Sequence, residues 1–206
     1  MRTLAIETAS EACSIALFDG DERLAHDHRV LGRGHAERLV PMIEALPDRG
    51  KAQRIHVSLG PGSFTGVRIG IAAARALGFA WGSEVRGYPT LALVAAIAGK
   101  HNPRLVTVCM NGGHGEWFVA DFSEGLVGSD IRSLTPEQAC ERGAHSVIAG
   151  NRACEFAERL GGEHEAINLL PDAGAANLLD ERVLTTDLTP IYGRGPDATP
   201  LKAPAA

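Results

Sequence analysis

The sequence predicts an α/β protein built in two consecutive halves, and three observations predict it. A strand-like alternation opens the chain, a short apolar strand runs through a glycine loop into a helix, and strand-like segments begin again beyond a polar joint near residue 100. Leu4, Ile6 and Thr8 fall on one face of the first strand. Ser14 to Phe18 forms a second, and Asp19-Gly20 turns the chain into a third that runs toward Val30, giving an antiparallel meander. Gly32-Arg33-Gly34 ends it. Apolar positions at Leu39, Val40, Ile43 and Leu46 then repeat with a helical period. The helix is set at Arg38–Leu46, so that Pro41 falls in its first two turns, where a missing N–H costs least; an earlier start implies a kink.

Ile55 to Leu59 is a mostly apolar run suited to a parallel strand covered on both faces. It enters Gly60-Pro61-Gly62-Ser63-Phe64-Thr65-Gly66 and a second helix at Val67–Trp81. Val85 to Gly87 adds an edge strand, Thr90 to Ala98 a third helix, and Gly99 to Pro103 the joint that divides residues 1–100 from 101–206. Beyond it lie strands at Leu105–Met110, Glu116–Phe122 and near Leu126, then helices at Pro136–Arg142 and Ala153–Leu160 around a strand at Ser146–Ala149. From Gly161 the periodicity fades. The breaker-rich Thr189–Asp197 segment reads as an extended strap packing back, and Ala203–Ala206 as a frayed end. No long repeat and no low-complexity tract is visible.

Composition narrows the function classes. Of 206 residues, 45% are hydrophobic and 22% charged, and mean hydropathy is −0.02, which excludes disordered, collagenous and membrane classes. Arg2 and Glu7 interrupt the N-terminus before a signal peptide can form. No window supplies the roughly 18 apolar residues of a spanning helix, so the chain is expected in the cytoplasm. Cys13, Cys109, Cys140 and Cys154 form no C-x-x-C and are expected to be reduced and buried. Residues 1–100 carry 12 Lys and Arg against 10 Asp and Glu, whereas residues 101–206 carry 8 against 15. A net charge of −5 with an acidic C-terminal half makes a poor stand-alone binder of phosphate backbones, so any RNA is held through a partner.

The glycine loop carries the most chemistry. Three glycines in seven residues at a helix start let backbone N–H groups face an anion. Yet the spacing of Gly60, Gly62 and Gly66 matches neither G-x-G-x-x-G nor a P-loop, because Val67-Arg68 stands where Lys-Ser/Thr is required. Ser63 occupies a strand-to-helix turn, but G-x-S-x-G needs glycine at Pro61 and Thr65. The other reading is structural, with Pro61-Gly62 setting a turn and Ser63 or Thr65 capping the helix. Ile71 to Ala80 carries small side chains on nearly every face and suits close helix packing, either inside the molecule or against another subunit. His26 and His28 share a strand face, but no third His or carboxylate stands at ligand spacing, so no metal site is assigned. No H-E-x-x-H occurs. Glu7 ends the first strand where an actin-like phosphotransferase places an acidic group near its magnesium nucleotide.

Ala5-Ile6-Glu7-Thr8-Ala9-Ser10 with Ser14-Ile15-Ala16-Leu17, His35-Ala36-Glu37-Arg38-Leu39-Val40-Pro41-Met42-Ile43, and above all Gly60-Pro61-Gly62-Ser63-Phe64-Thr65-Gly66-Val67-Arg68-Ile69-Gly70 resemble the TsaB (YeaZ) family. The likeness is close over residues 1–100 and looser beyond, where Pro190-Ile191-Tyr192 and Arg194 resemble the family's closing Pro-x-Tyr-x-Arg. That family is the dimerisation subunit of the bacterial machinery that places threonylcarbamoyl on the adenosine beside the anticodon. The resemblance implies an actin-like ATPase (ASKHA) fold of two ribonuclease-H-like subdomains, with mixed sheets flanked by helices. It also implies a subunit with no catalytic residue and no cofactor of its own. Its paralogue TsaD holds the metal and the threonylcarbamoyl-adenylate that TsaC makes, the ATPase TsaE completes the complex, and ATP or ADP sits with the partners. The two N-terminal helices are expected to dock TsaD, or a second copy when TsaD is absent, through Arg38, Met42, Phe64, Ile69, Ala73, Ala76 and Leu77. tRNA is reached mainly through the complex, and no membrane is involved. Glu7, Gly60, Gly62, Ser63, Thr65, Gly66 and Arg68 are candidate nucleotide-binding or loop-structural residues.

Two positions depart from the family: Glu7-Thr8-Ala9 replaces its usual Asp-Thr-Ser, and Asn111-Gly112-Gly113-His114-Gly115-Glu116 replaces Asp-Ala-Arg-x-Gly-Glu. Two other classes fit the residues less well. One is a self-sufficient nucleotide-dependent phosphotransferase with Glu7 near magnesium and the loop near phosphate; the other is a peptidase using Ser63.

Overall fold

The computed structural model describes residues 1–100 and 105–193. Strands β1 (Arg2–Glu7), β2 (Ala12–Asp19) and β3 (Glu22–Val30) form the expected meander, followed by helix α1 (His35–Glu44), β4 (Arg54–Ser58), α2 (Phe64–Trp81), β5 (Glu84–Tyr88) and α3 (Thr90–Gly99). The second half runs β6 (Leu105–Gly113), β7 (Glu116–Ser123), β8 (Leu126–Val127), β9 (Arg132–Leu134), α4 (Pro136–Arg142), β10 (Val147–Ala149), α5 (Ala153–Leu160) and β11 (Glu165–Ile167). Short 3-10 turns at Ala173–Leu178 and Glu181–Val183 follow.

The first sheet has the order β3-β2-β1-β4-β5 and the second β8-β7-β6-β10-β11, with β9 also pairing β7. Each is a meander whose first strand carries two parallel strands on its other side; Ile6 sits opposite Val57, and Val108 opposite Ala149. The same winding is therefore used twice. This is the ASKHA arrangement of two ribonuclease-H-like units. The sequence shows no repeat because different residues build each copy.

The two halves exchange their last segments. α3 is numbered with the first half, but Leu91, Ala92, Val94 and Ala95 pack with Val106, Val108, Phe118 and Phe122 of the second sheet. Reciprocally, Ala173 and Ala176 pack on Ala5, Ala16 and Phe18 of the first sheet. The chain passes from one sheet to the other at residue 100, while packing is traded across that point. His101 to Pro103, most of the expected joint, lie outside the described residues together with Arg104.

Several boundaries move for identifiable reasons. α1 starts at His35 and not at Arg38. The buried His35 ring, with Nε2 at 3.0 Å from the Ser10 carbonyl and 3.2 Å from that of Ala12, fixes its first turn. Pro41 thus lies inside the helix and withholds the N–H that the Glu37 carbonyl would accept. α2 starts at Phe64, and Ser63 is its cap, with Oγ accepting from Gly66 N at 3.2 Å. α4 and α5 have the expected bounds, and a reciprocal Thr135–Gln138 box opens α4. β9 and β11, of three residues each, are strands that the sequence reading does not include. The strap packs back as expected, Ile191 N donating to Leu59 O at 2.7 Å. Its continuation from Arg194, and the end at Ala203–Ala206, lie outside the described residues. All four cysteines are free, but Cys154 is exposed and Cys140 half-buried, against the expected burial. Among the described residues no helix is long and apolar enough to cross a membrane.

Candidate functional site

The glycine loop faces the protein's own backbone. A Cβ on Gly62 would overlap the Ala9 carbonyl, one on Gly66 the Thr8 carbonyl, and one on Gly70 the Thr8 hydroxyl. Glycine at these three places lets the start of α2 lie directly on the segment that leaves β1. The contact is also hydrogen-bonded: Ser63 N donates to Ala9 O at 2.7 Å, and Thr8 Oγ1 donates to Gly66 O at 2.8 Å. With the Ser63 amide bound to Ala9 and the Gly66 amide to the cap, these groups are not aimed at an anion. Gly60, at φ 91°, abuts the Ile191 carbonyl of the strap.

The opposite side of α2 is open. Phe64 is 56% exposed, Phe79 94% exposed, and Val40 of α1, 58% exposed, adds to the apolar surface. Ala72, Ala76 and Ala80 are exposed on α2. Arg68 spans Phe64 and the strap, its guanidinium 3.6 Å from the Phe64 ring centre and Nη2 donating to Tyr192 Oη at 2.8 Å. The Phe64 and Tyr192 rings stack at 5.6 Å.

Of the seven expected docking residues, Arg38, Phe64 and Ala76 are exposed, while Ile69, Ala73 and Leu77 are half-buried against the first core. Met42 is 3% exposed and lies within that core, so it backs the face and is not part of it. Val40, placed in the apolar stripe by the sequence reading, is the residue that points outward. Thr65 is exposed and joins Ser63, Gly66 and residues 32–37 around a shallow cleft between the starts of α1 and α2.

Glu7 is fully buried. Desolvation pushes its carboxyl up to about 7, opposed by the Ala9 amide and the nearby Ser58 and Tyr88 hydroxyls. Oε1 accepts from Ala9 N at 2.7 Å, and Oε2 lacks a hydrogen-bond partner among the described residues. The carboxyl therefore presents no oxygen to solvent. His56 on β4 shows the converse effect: burial, the largest influence, holds its ring down at about 4.

Two groupings escaped the sequence reading. Asn151 Nδ2 donates to Glu11 Oε1 at 3.0 Å while its Oδ1 accepts from Asn111 N at 2.9 Å, so the altered Asn111-Gly112-Gly113 stretch belongs to a polar bridge between the halves. His26 and His28 do meet a third group, Asp172, which corrects the expectation that none was available. No local spacing could reveal it, because Asp172 arrives from the far half of the chain.

A family model described as "TsaD: tRNA N6-adenosine threonylcarbamoyltransferase" matches residues 29–165. The chain is 39% identical over 109 residues to the tRNA threonylcarbamoyladenosine biosynthesis protein TsaB of Escherichia coli (strain K12), covering 50% of this chain and 46% of that protein. With the protein of the same name from Haemophilus influenzae it shares 32% identity over 149 residues, 66% of this chain and 63% of that one. It thus spans about half to just under two thirds of these curated relatives. The solved structure of YeaZ from Pseudomonas aeruginosa superposes with a TM-score of 0.75 at 26% identity, covering 93% of this chain and 99% of that one. With the family match extending over more than half of its length, and with these likenesses, the chain belongs to the TsaB (YeaZ) family within the wider family described by the TsaD model.

Proposed function

We propose that the chain is a non-catalytic subunit in the synthesis of tRNA N6-threonylcarbamoyladenosine, and that it docks and activates a TsaD-type transferase through the open side of α1 and α2. One observation carries this reading. An 18-residue helix is locked on one side by glycine contacts and presents small residues, Phe64 and the 94% exposed Phe79 on the other. An apolar patch on a rigid helix favours a protein partner. The biosynthetic role named for the TsaB relatives supplies the pathway. In this reading TsaD and the ATPase TsaE are partners, and ATP or ADP and a metal ion sit with them. tRNA is reached through the assembly in the cytoplasm, and a second copy of the chain occupies the same face when TsaD is absent.

The test mixes the chain with TsaD from the same host and follows the complex by light scattering. A complex is expected, with Ala76→Asp and Phe79→Asp each weakening it at least about tenfold, because a charge would be desolvated without a partner. Ala73 is a poorer probe, since it also packs on the core. Unchanged affinity in both variants removes this face from the interface. Unaltered threonylcarbamoyladenosine in tRNA after depletion of the chain sinks the pathway assignment.

A further inference from the structure

The His26, His28 and Asp172 cluster holds two imidazoles and one carboxylate whose ligand atoms all lie within 4.8 Å of one another. β3 supplies both histidines at i and i+2 on one face, opposite Ala16 and Ser14 of β2, while Asp27 between them pairs with Arg29. The approach of Asp172 is fixed by its surroundings. Ala173 N donates to Ser14 Oγ at 2.9 Å, Gly174 N donates to Asp172 Oδ1 at 2.8 Å, and Arg23 Nη1 donates to Gly174 O at 3.0 Å. His26 Nε2 lies 2.7 Å from Asp172 Oδ1 and His28 Nδ1 3.5 Å from Oδ2. His28 Nδ1 is buried without a hydrogen-bond partner among the described residues, so it is aimed at the carboxylate without being satisfied by it.

We propose that these three residues bind a divalent transition-metal ion of the zinc class, which fastens the segment beginning at Asp172 to the edge of the first sheet. Two imidazole nitrogens and one carboxylate oxygen are a donor set suited to such ions. Bonds of about 2.0–2.2 Å in a tetrahedral site set ligand atoms about 3.3 Å apart. His26 Nε2 approaches Oδ1 and His28 Nδ1 approaches Oδ2, and one donor atom from each residue lies within 4.8 Å of the others, so side-chain rotation toward a common point makes the site. The side chains retain 25–30% exposure, which leaves room for water to complete the coordination. The ion would act between the halves, joining β3 to the 3-10 turn that the second half contributes.

Chelator-treated full-length chain is titrated with Zn2+ by calorimetry and with Co2+ by visible absorption, and its melting temperature is recorded with and without Zn2+. One ion per chain, Co2+ bands of a four- or five-coordinate site and a raised melting temperature are expected. His28→Gln and Asp172→Asn, the latter keeping a capping side chain, should each lose at least about tenfold in affinity while melting near the parent in chelator. Zinc affinity unchanged in a His26→Gln, His28→Gln double variant would place the ion elsewhere and overturn the proposal. So would no saturable binding at about 0.1 mM zinc, which would leave only a histidine–carboxylate hydrogen bond.

Discussion

The two halves of this chain share one winding and differ in nearly everything laid over it. In the first, β1 to β5 run five to nine residues, and α2 runs 18 over a seam of glycines. In the second, β10 and β11 have three residues each, α4 seven and α5 eight. The outer side of α2 carries Phe64 and Phe79, whereas Glu155 and Arg159 of α5 form local ion pairs together with the preceding Arg152, and Arg159 lies over the Trp117 ring. The comparison teaches that a topology can be held constant while one copy leaves an apolar helix face exposed and the other covers its helix with ion pairs.

The sharpest way to break this contrast is at the third residue of each helix. Gly66→Ala in α2 drives a methyl into the Thr8 carbonyl and should cost more than about 4 kcal/mol or abolish folding. Glu155→Ala in α5 removes surface ion pairs and should cost less than about 1 kcal/mol by chemical denaturation. Equal losses would mean the seam is not what fixes α2.

Phe156→Ala follows, at about 3–5 kcal/mol, because its ring is fully buried 5.5 Å from that of Trp117.

Glu7→Gln probes the interior of the first half by pH. The folded carboxyl is raised from 4.5 to about 7, so its contribution is most favourable below about 4.5 and is lost as pH rises through 7. His56, lowered from 6.5 to about 4, runs the other way, losing stability as pH falls from 6.5 through 4. Between 4.5 and 6.5 the two offset each other. Relative to the parent, the Gln variant should gain stability from pH 4.5 upward, reaching on the order of 3 kcal/mol above pH 7 in denaturant melts at several pH values.

Phe79→Ala should be the smallest effect on folding, within about 0.5 kcal/mol, because the side chain is 94% exposed. If it costs as much as Phe156→Ala, the open face is a misreading.

Much of this architecture is legible from residues. Alternation at Leu4 and Ile6, the apolar run into the glycines, the Ser63 cap and the bounds of α4 and α5 are local signals, and the structure carries each. Met42 was also readable: Leu39, Met42, Ile43 and Leu46 are the i, i+3, i+4, i+7 stripe, which turns Val40 outward. What failed to show is non-local. Asp172 beside His26, Asn151 beside Glu11 and the burial of Glu7 depend on segments brought together from distant parts of the chain. β11 lies beyond Gly161, where polar residues break the pattern and only Ala166 and Ile167 of the strand supply apolar positions.

Because α3 leaves its own sheet to line the other, and the turn at Ala173–Leu178 makes the return trip, neither half owns a finished interior. A polypeptide severed between residues 99 and 105 would therefore travel as a single particle through a sizing column, its fragments clasped, and would melt in one step.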